Sequence, residues 1–411
     1  VQSNADFVAF HHHTIPRNAN IVLRNNRAED GYPNAVCSSF ITPNFSFSTK
    51  NQFTYLRPLK KIVMPKSKIA GIGMYVPENV FTNQDLTKYM DTSDEWIQER
   101  TGIKERRYAH RTKETTTTMA VEAAKIAIER AGTTAQDIDF IVFATLSPDY
   151  YFPGCGVLVQ RAMQMKEIGA LDVRNQCSGF IYALSVADQF IKTGMYKNIL
   201  VIGSEKHSFG LDLTTRGRNV SVIFGDGAGA VVLQPTEDEN SGILSTHLHS
   251  DGNDAELLAM YNPGTHGNHW KEGLANFNEG EIADMFMSHA MIDDAQNFPF
   301  MDGQSVFKKA VVKFPEVIIE ALNKNGFSPS DINMLIPHQA NLRIAQFVQQ
   351  KLGLKDEQVY NNIQHYGNTT AASIPIALCE AWQQGKIKQG DLVCLAAFGS
   401  GFTWASALLK W

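Results

Sequence analysis

A chain of 411 residues has room for one large core or two medium ones, and 44% hydrophobic with 19% charged residues is ordinary for a globular protein. A net charge of -5 gives no reason to expect nucleic acid as a partner, although it leaves room for a local basic patch. No apolar run approaches the roughly 20 residues that span a bilayer. The five cysteines (Cys37, Cys155, Cys177, Cys379, Cys394) are odd in number and widely spaced, with no CxxC. That usage argues against a disulfide framework or a zinc site and for a reducing cytoplasm.

In chain order, residues 1–63 stand apart. They are rich in Asn, Ser, Thr and Phe, lack helical periodicity and contain His11-His12-His13. They read as a non-native or disordered N-terminal extension, with Met64 as the expected native start; a targeting presequence is the competing reading. From Lys68 to Pro77 the pattern becomes an alternating strand followed by turn residues.

Two passages then recur in the same order. Ala131-Gly132 through Asp137-Ile138-Asp139 to Val142 is a helix end, loop and strand, and Asn325-Gly326 through Asp331-Ile332-Asn333 to Ile336 repeats the layout. Phe224-Gly225-Asp226-Gly227, a glycine turn entering an apolar strand, is answered by Phe398-Gly399-Ser400-Gly401. Two ordered pairs indicate a duplicated α/β half, 64–235 and 241–411, with a site expected between the halves.

Arg174-Asn175-Gln176-Cys177-Ser178-Gly179 closes a strand and opens an apolar helix. A cysteine at a helix N-terminus meets unpaired N–H groups and the positive dipole end, both favouring the thiolate. A small buried core thiol is the equal alternative at this point. In the second half, Pro337-His338-Gln339 puts a histidine directly after a strand, and Tyr366-Gly367-Asn368 puts an asparagine before a helix. Taken singly, a structural histidine and a helix cap are the ordinary readings.

Together with their neighbours these residues resemble a family. From Met64 to Trp411 the chain is similar to β-ketoacyl-acyl carrier protein synthase III, one of the thiolase-like condensing enzymes. The resemblance rests on Cys177-Ser178-Gly179-Phe180, His338-Gln339-Ala340-Asn341-Leu342-Arg343 and Gly367-Asn368-Thr369, supported by Asp91 to Ile97, Phe224 to Ala230 and Phe398 to Trp404. It implies a duplicated five-layer αβαβα fold, a cytoplasmic homodimer, and no cofactor. The implied reaction starts fatty-acid synthesis. An acyl-CoA primer acylates Cys177; malonyl-acyl carrier protein is then decarboxylated and attacks, giving 3-oxoacyl-acyl carrier protein.

The resemblance assigns enolate stabilisation to His338 and Asn368, an oxyanion hole to the backbone N–H groups of Cys177 and Ser400, and a place near the malonyl group to Phe398. It matches Trp96 and Arg216 to the pair flanking the CoA adenine, Thr92 and Arg100 to neighbouring CoA contacts, and Asn341 to the pantetheine tunnel. Phe152 matches the residue that closes the partner's acyl pocket across the dimer, and Lys308, Arg343 and Lys351 match the basic positions that meet the carrier protein.

Three departures stand out. Ser400 replaces the middle glycine of a three-glycine run, and Gln304 stands where Asn is common. The stretch from Asp251 to Met301 is enlarged around 252–300, with a helix-like piece near Ile282–Ala290. That region is expected either to shape the acyl pocket and entrance or to be a solvent-facing elaboration or extra dimer contact. His266 and His269 lack the carboxylate or Cys company of a metal site, so no metal is expected. A thiolase needs a second cysteine in the C-terminal glycine turn, whereas Cys394 precedes it in a buried strand. A specialised-metabolite acyltransferase or ketosynthase of the same fold, with a longer or different primer or acceptor, is the alternative.

Overall fold

The computed structural model describes residues 65–264, 287 and 289–411. Residues 1–64, with Cys37 and the expected start at Met64, lie outside them, as do His266, His269 and residues 282–286 of the expected helical piece.

In the first half, β1 (Lys66–Tyr75), β2 (Phe140–Ala144), β3 (Gly169–Val173), β4 (Ile199–Glu205) and β5 (Gly227–Thr236) form one sheet in the order β1-β5-β4-β2-β3. In the second, β6 (Gly242–Ser250), β7 (Met334–Pro337), β8 (Leu392–Gly399) and β9 (Thr403–Lys410) take the order β6-β9-β8-β7. A parallel bridge between Leu335 and Val359 stands where β3 stands in the first sheet. Parallel and antiparallel pairings correspond one for one, so the recurrence read in the sequence is a repeated topology.

The helices repeat as well. After α1 (Asp94–Thr101) come α2 (Thr116–Arg130), α3 (Cys155–Ala162) and α4 (Gly179–Lys192), matched by α5 (Gly303–Lys324), α6 (Leu342–Leu352) and α7 (Ser373–Gln383). Their sequences explain their places. In α6 the buried residues Ile344, Ala345, Val348 and Leu352 make one stripe, and Arg343 and Lys351 face water. Asn341 caps its start through Arg343 N–H, and Gly353 ends it at φ +67°. In α4, by contrast, Phe180, Ile181, Ala183, Leu184 and Ala187 are all inaccessible, which suits a helix enclosed on both sides.

Three apolar clusters fill the gaps between five layers. Leu184 of α4 and Leu378 of α7 lie in the middle, with Val201 and Val231 of one sheet and Leu395 and Ala407 of the other. The alternate strand residues Leu200, Ile202 and Val232 turn outward onto Met119 and Ala123 of α2 and Val159 of α3. Leu335, Cys394 and Leu408 turn the other way onto Phe314 of α5 and Val348 of α6. The fold is αβαβα, with both faces of each sheet covered.

Candidate active site

The strand ends bring the chemistry together. Leu146 follows β2, Cys177 follows β3, His207 follows β4, His338 follows β7, and Gly399-Ser400 closes β8; all line one cavity of about 250 Å³. Crevices beyond the carboxyl ends of strands are the usual ligand sites of α/β sheets. Leu258, Met260, Met301, Phe307, Phe314 and Ile344 give the cavity an apolar wall. The described ends of the enlarged 252–300 stretch are therefore part of that wall, and Leu258–Ala259 pairs with Phe300–Met301. A larger cavity of about 430 Å³ lies where the halves join, around Arg130, Trp382 and Trp411, and contains none of these groups.

Cys177 occupies a short 3-10 turn, Gln176–Ser178, immediately before α4. The preceding Gln176 has φ +41°, a strained left-handed conformation that presents the next side chain to the cavity. The close approach on the opposite side requires glycine: a Cβ on Gly399 would lie 2.3 Å from the Cys177 Cβ and 2.8 Å from its Sγ. The backbone N–H groups of Ser400 and Cys177 lie beside the sulfur and act to lower the pKa of its thiol. Ser400 Oγ donates outward to the Leu258 carbonyl, so the added side chain ties the turn to the enlarged segment.

Of the two states left open for Cys177, thiolate and buried thiol, the surroundings favour the thiol at rest. Burial, reinforced by the Glu205 carboxyl, pushes the Cys177 thiol up to about 12, against the lowering effect of the two N–H groups. The physical reason is enclosure: only 8% of the residue is exposed, and desolvation of a thiolate outweighs a helix end. Cys394, the residue on which a thiolase reading turned, is inside β8 and fully buried, with its thiol likewise pushed up to about 12.

His338 is equally enclosed, and burial holds its imidazole down at about 3, hence neutral. Its Nδ1 lies 2.6 Å from Ser373 Oγ. Ser373 Oγ also accepts from the Gln339 N–H at 3.4 Å; with its hydroxyl proton assigned to Nδ1, the ring proton is on Nε2. Nε2 is buried with no protein partner among the described residues. Asn368 is fixed across the halves: its N–H donates to Ile223 O, and its carbonyl accepts from Gly225 N–H. Its side-chain Oδ1 accepts from Thr370 N–H at 2.8 Å, leaving the amide N–H2 as a donor. Phe398 also lines the cavity, stacked on Phe402 at 5.0 Å.

Near the rim, Ser93 caps α1 by accepting from Trp96 N–H, and the indole packs against an apolar cluster that includes Ile97, Val220 and Ile363. Arg100 lies over that ring at 4.4 Å and is tied to the cavity through Asn341 Nδ2, which donates to the Arg100 carbonyl at 2.9 Å. Thr92 Oγ1 is buried without a partner among the described residues. The matching of Arg216 to Trp96 needs correction. Arg216 Nε is held 2.7 Å from the buried Asp212 carboxylate, and its guanidinium lies over Phe298. Arg218 stands over Trp96 instead, at 4.8 Å, with a hydrogen bond to the Asp91 carbonyl. Arg216 lies in the 3-10 turn Thr215–Gly217, whereas Arg218 opens the helical turn Arg218–Ser221 that follows, and the two side chains point different ways.

The remaining assignments sit on the surface. Phe152 is 81% exposed, beside exposed Tyr150 and Tyr151. Lys308 on α5 and Arg343 and Lys351 on α6 are exposed on neighbouring helices. Among the described residues no group of three or more His, Cys, Asp or Glu is placed to hold a metal ion. Sequence reasoning missed Arg218, which opens the turn after that of Arg216. It also missed His207 and Ser373, which no motif singled out.

A cysteine and a histidine–asparagine pair at the strand ends of a duplicated αβαβα scaffold define a thiolase-like condensing enzyme. Two family models match, 3-oxoacyl-[acyl-carrier-protein] synthase III over residues 171–252 and its C-terminal region over residues 322–411. A β-ketoacyl-[acyl-carrier-protein] synthase III of Rhodospirillum centenum is 46% identical over 84% of this chain and 99% of its own length. The crystal structure of the Aquifex aeolicus 3-oxoacyl-[acyl-carrier-protein] synthase III matches at TM-score 0.73, with 45% identity over 84% of this chain and 100% of that one. The priming β-ketosynthase of the R1128 polyketide biosynthetic pathway matches at TM-score 0.73, with 30% identity over 84% of this chain and 97% of that one. The chain belongs to the 3-oxoacyl-[acyl-carrier-protein] synthase III family.

Proposed function

We propose that the protein condenses an acyl-CoA primer with malonyl-acyl carrier protein, releasing CO2 and CoA and forming the 3-oxoacyl-acyl carrier protein that initiates fatty-acid synthesis. One observation carries this reading: a single cavity gathers a buried thiol, two backbone N–H groups beside its sulfur, and the neutral donors of His338 and Asn368.

In the first step the Cys177 sulfur replaces the CoA sulfur on the acyl carbonyl, and the thiol proton ends on CoA. In the second, the malonyl carbon–carboxylate bond breaks, CO2 leaves, and the electron pair becomes an enolate. Its oxygen is held by His338 Nε2–H and Asn368 Nδ2–H, donors that require no reorganisation as charge develops. No external base is needed, because decarboxylation supplies the carbanion. In the third, that carbanion attacks the acyl carbonyl, whose oxygen takes its negative charge beside the N–H groups of Cys177 and Ser400. The carbon–sulfur bond then breaks. The released Cys177 sulfur takes one proton from water, as a thiol held at about 12 does readily.

Trp96 with Arg218, flanked by Arg100 and Thr92, suits a flat adenine at the rim, and Asn341 marks the way in for pantetheine. Exposed Lys308, Arg343 and Lys351 suit an acidic carrier protein. The exposed Phe152 with its two tyrosines supports a homodimer in which Phe152 closes the partner's acyl pocket. The free thiols of Cys155, Cys177, Cys379 and Cys394 support a reducing, cytoplasmic setting. Among the described residues no helix is long and apolar enough to cross a membrane. Acyl-CoA and malonyl-acyl carrier protein enter this scheme as substrates, and no cofactor takes part.

Intact-protein mass spectrometry with primers from acetyl-CoA to decanoyl-CoA tests the first step and reads the preferred length. The acyl mass should appear on the wild type and be absent from Cys177→Ala. No gain with any primer, or a gain that survives the substitution, contradicts the reading.

A further inference from the structure

The turn from Asn368 to Ala372 contains a backbone conformation that needs support. Thr370 has φ +48°, in the left-handed region where β-branched residues are rarely found. Such a residue persists only when its surroundings over-determine it. Three supports come from one strand end. A Cβ on Gly203 would lie 2.3 Å from the Ala371 carbonyl oxygen, so the turn rests directly on β4. The Ala371 N–H lies near enough to the Glu205 carboxyl to lower its pKa. His207 Nε2 lies 2.6 Å from Thr370 Oγ1. Gly203 and Glu205 share one face of the strand, and His207 continues the alternate spacing just beyond its end.

His207 is itself fixed. The N–H of the next residue, Ser208, donates to the buried Asp226 carboxyl at 2.9 Å, the His207 ring packs against Phe224 at 4.6 Å, and only 6% of His207 is exposed. Burial keeps the imidazole neutral. Thr370 N–H in turn holds Asn368 Oδ1.

We propose that His207 is a positioning residue for the decarboxylation step: it holds Thr370 in its left-handed turn and thereby aims the Asn368 N–H2 at the enolate oxygen. This rests on the role proposed for Asn368 and adds to it a support that reaches across from the other half of the molecule.

The test follows Cys177 acylation and CO2 release from malonyl-acyl carrier protein separately. His207→Leu should keep acylation within about twofold of wild type and lose about a hundredfold in CO2 release, the scale of a small misplacement of a reacting group. His207→Gln, whose amide reaches the Nε2 position, should recover most of that loss. Thr370→Gly takes the left-handed turn unaided and should retain most of the activity. In the Thr370→Gly background, His207→Leu should cost less than about threefold.

Four results overturn the proposal: acylation falling in parallel with decarboxylation, Gln performing no better than Leu, the same loss in both backgrounds, or no loss at all. The Gln and glycine-background variants keep the test decisive if His207→Leu alone does not fold. A wild-type protein that becomes acylated but releases no CO2 overturns the role of Asn368 first, and this inference with it.

Discussion

His338 has one ring nitrogen engaged by Ser373 and the other buried with no partner among the described residues, so the side chain offers a single N–H. Asn368, with Oδ1 engaged by Thr370, offers only its amide N–H2. Neither is positioned to act on Cys177 as a base, because His338 is protonated on the nitrogen that remains free and Asn368 has no basic group. His338→Gln and Asn368→Ala should therefore leave acylation of Cys177 intact and lower CO2 release by about 10²- to 10³-fold each. Loss of acylation in either variant contradicts the division of roles. At the rim, Arg218→Ala should raise the KM for acyl-CoA about tenfold with kcat little changed, since stacking on adenine is uniform binding. Arg216→Ala, which breaks an ion pair with Asp212 away from Trp96, should change KM much less; steady-state kinetics on both variants decide between the two arginines.

Much of the element plan could be read in the chain because periodicity and turn chemistry report it directly. The strand after Met64, the apolar helix after Cys177 and the paired loops ending at Asp139 and Asn333 appear in the structure as β1, α4 and two matching 3-10 turns. What stayed hidden depends on rotation and long-range contact. Arg216 and Arg218 differ in which way two consecutive short turns face. His207 gains its partner Thr370 from a segment 163 residues away, and nothing near it in sequence marks that meeting. The choice between thiolate and buried thiol at Cys177 stayed open for a similar reason, since the dipole is local but desolvation comes from the whole fold. The enclosed helix α4 gives a test at this scale. Leu184 is inaccessible in the central cluster, so Leu184→Ala should cost about 2–5 kcal/mol. Urea unfolding measures it, and a cost under about 1 kcal/mol contradicts enclosure on both faces.

For the molecule as a whole, the buried titratable groups set the response to acid. His207 and His338 are held at about 3 against an ordinary 6.5, so between those values the unfolded chain binds protons that the folded one refuses. Their contribution to stability falls as pH falls through that window. Glu205, raised to about 7, and Asp226, raised to about 6, act in the opposite sense. The folded chain binds their protons first, so they support stability as pH drops toward their ordinary carboxylate values. The two pairs nearly cancel near pH 5.5, and the histidines prevail below about 4.5. Replacing His338 by Gln removes one of the refused protons. On acidification from pH 6 to pH 4 the stability of that variant should gain on that of the wild type by about 1.4 kcal/mol per pH unit. Parallel curves contradict a neutral, buried His338.

The central claim joins both halves: Cys177 of one passes its acyl group to a carbanion stabilised by His338 and Asn368 of the other. The most direct measurement incubates the protein with an acyl-CoA and carboxyl-labelled malonyl-acyl carrier protein, following labelled CO2 and the intact mass of the carrier. The account predicts labelled CO2 in step with a 3-oxoacyl carrier mass, both absent from Cys177→Ala. A carrier that keeps its malonyl group, or that gains only the primer acyl group without CO2 release, contradicts it.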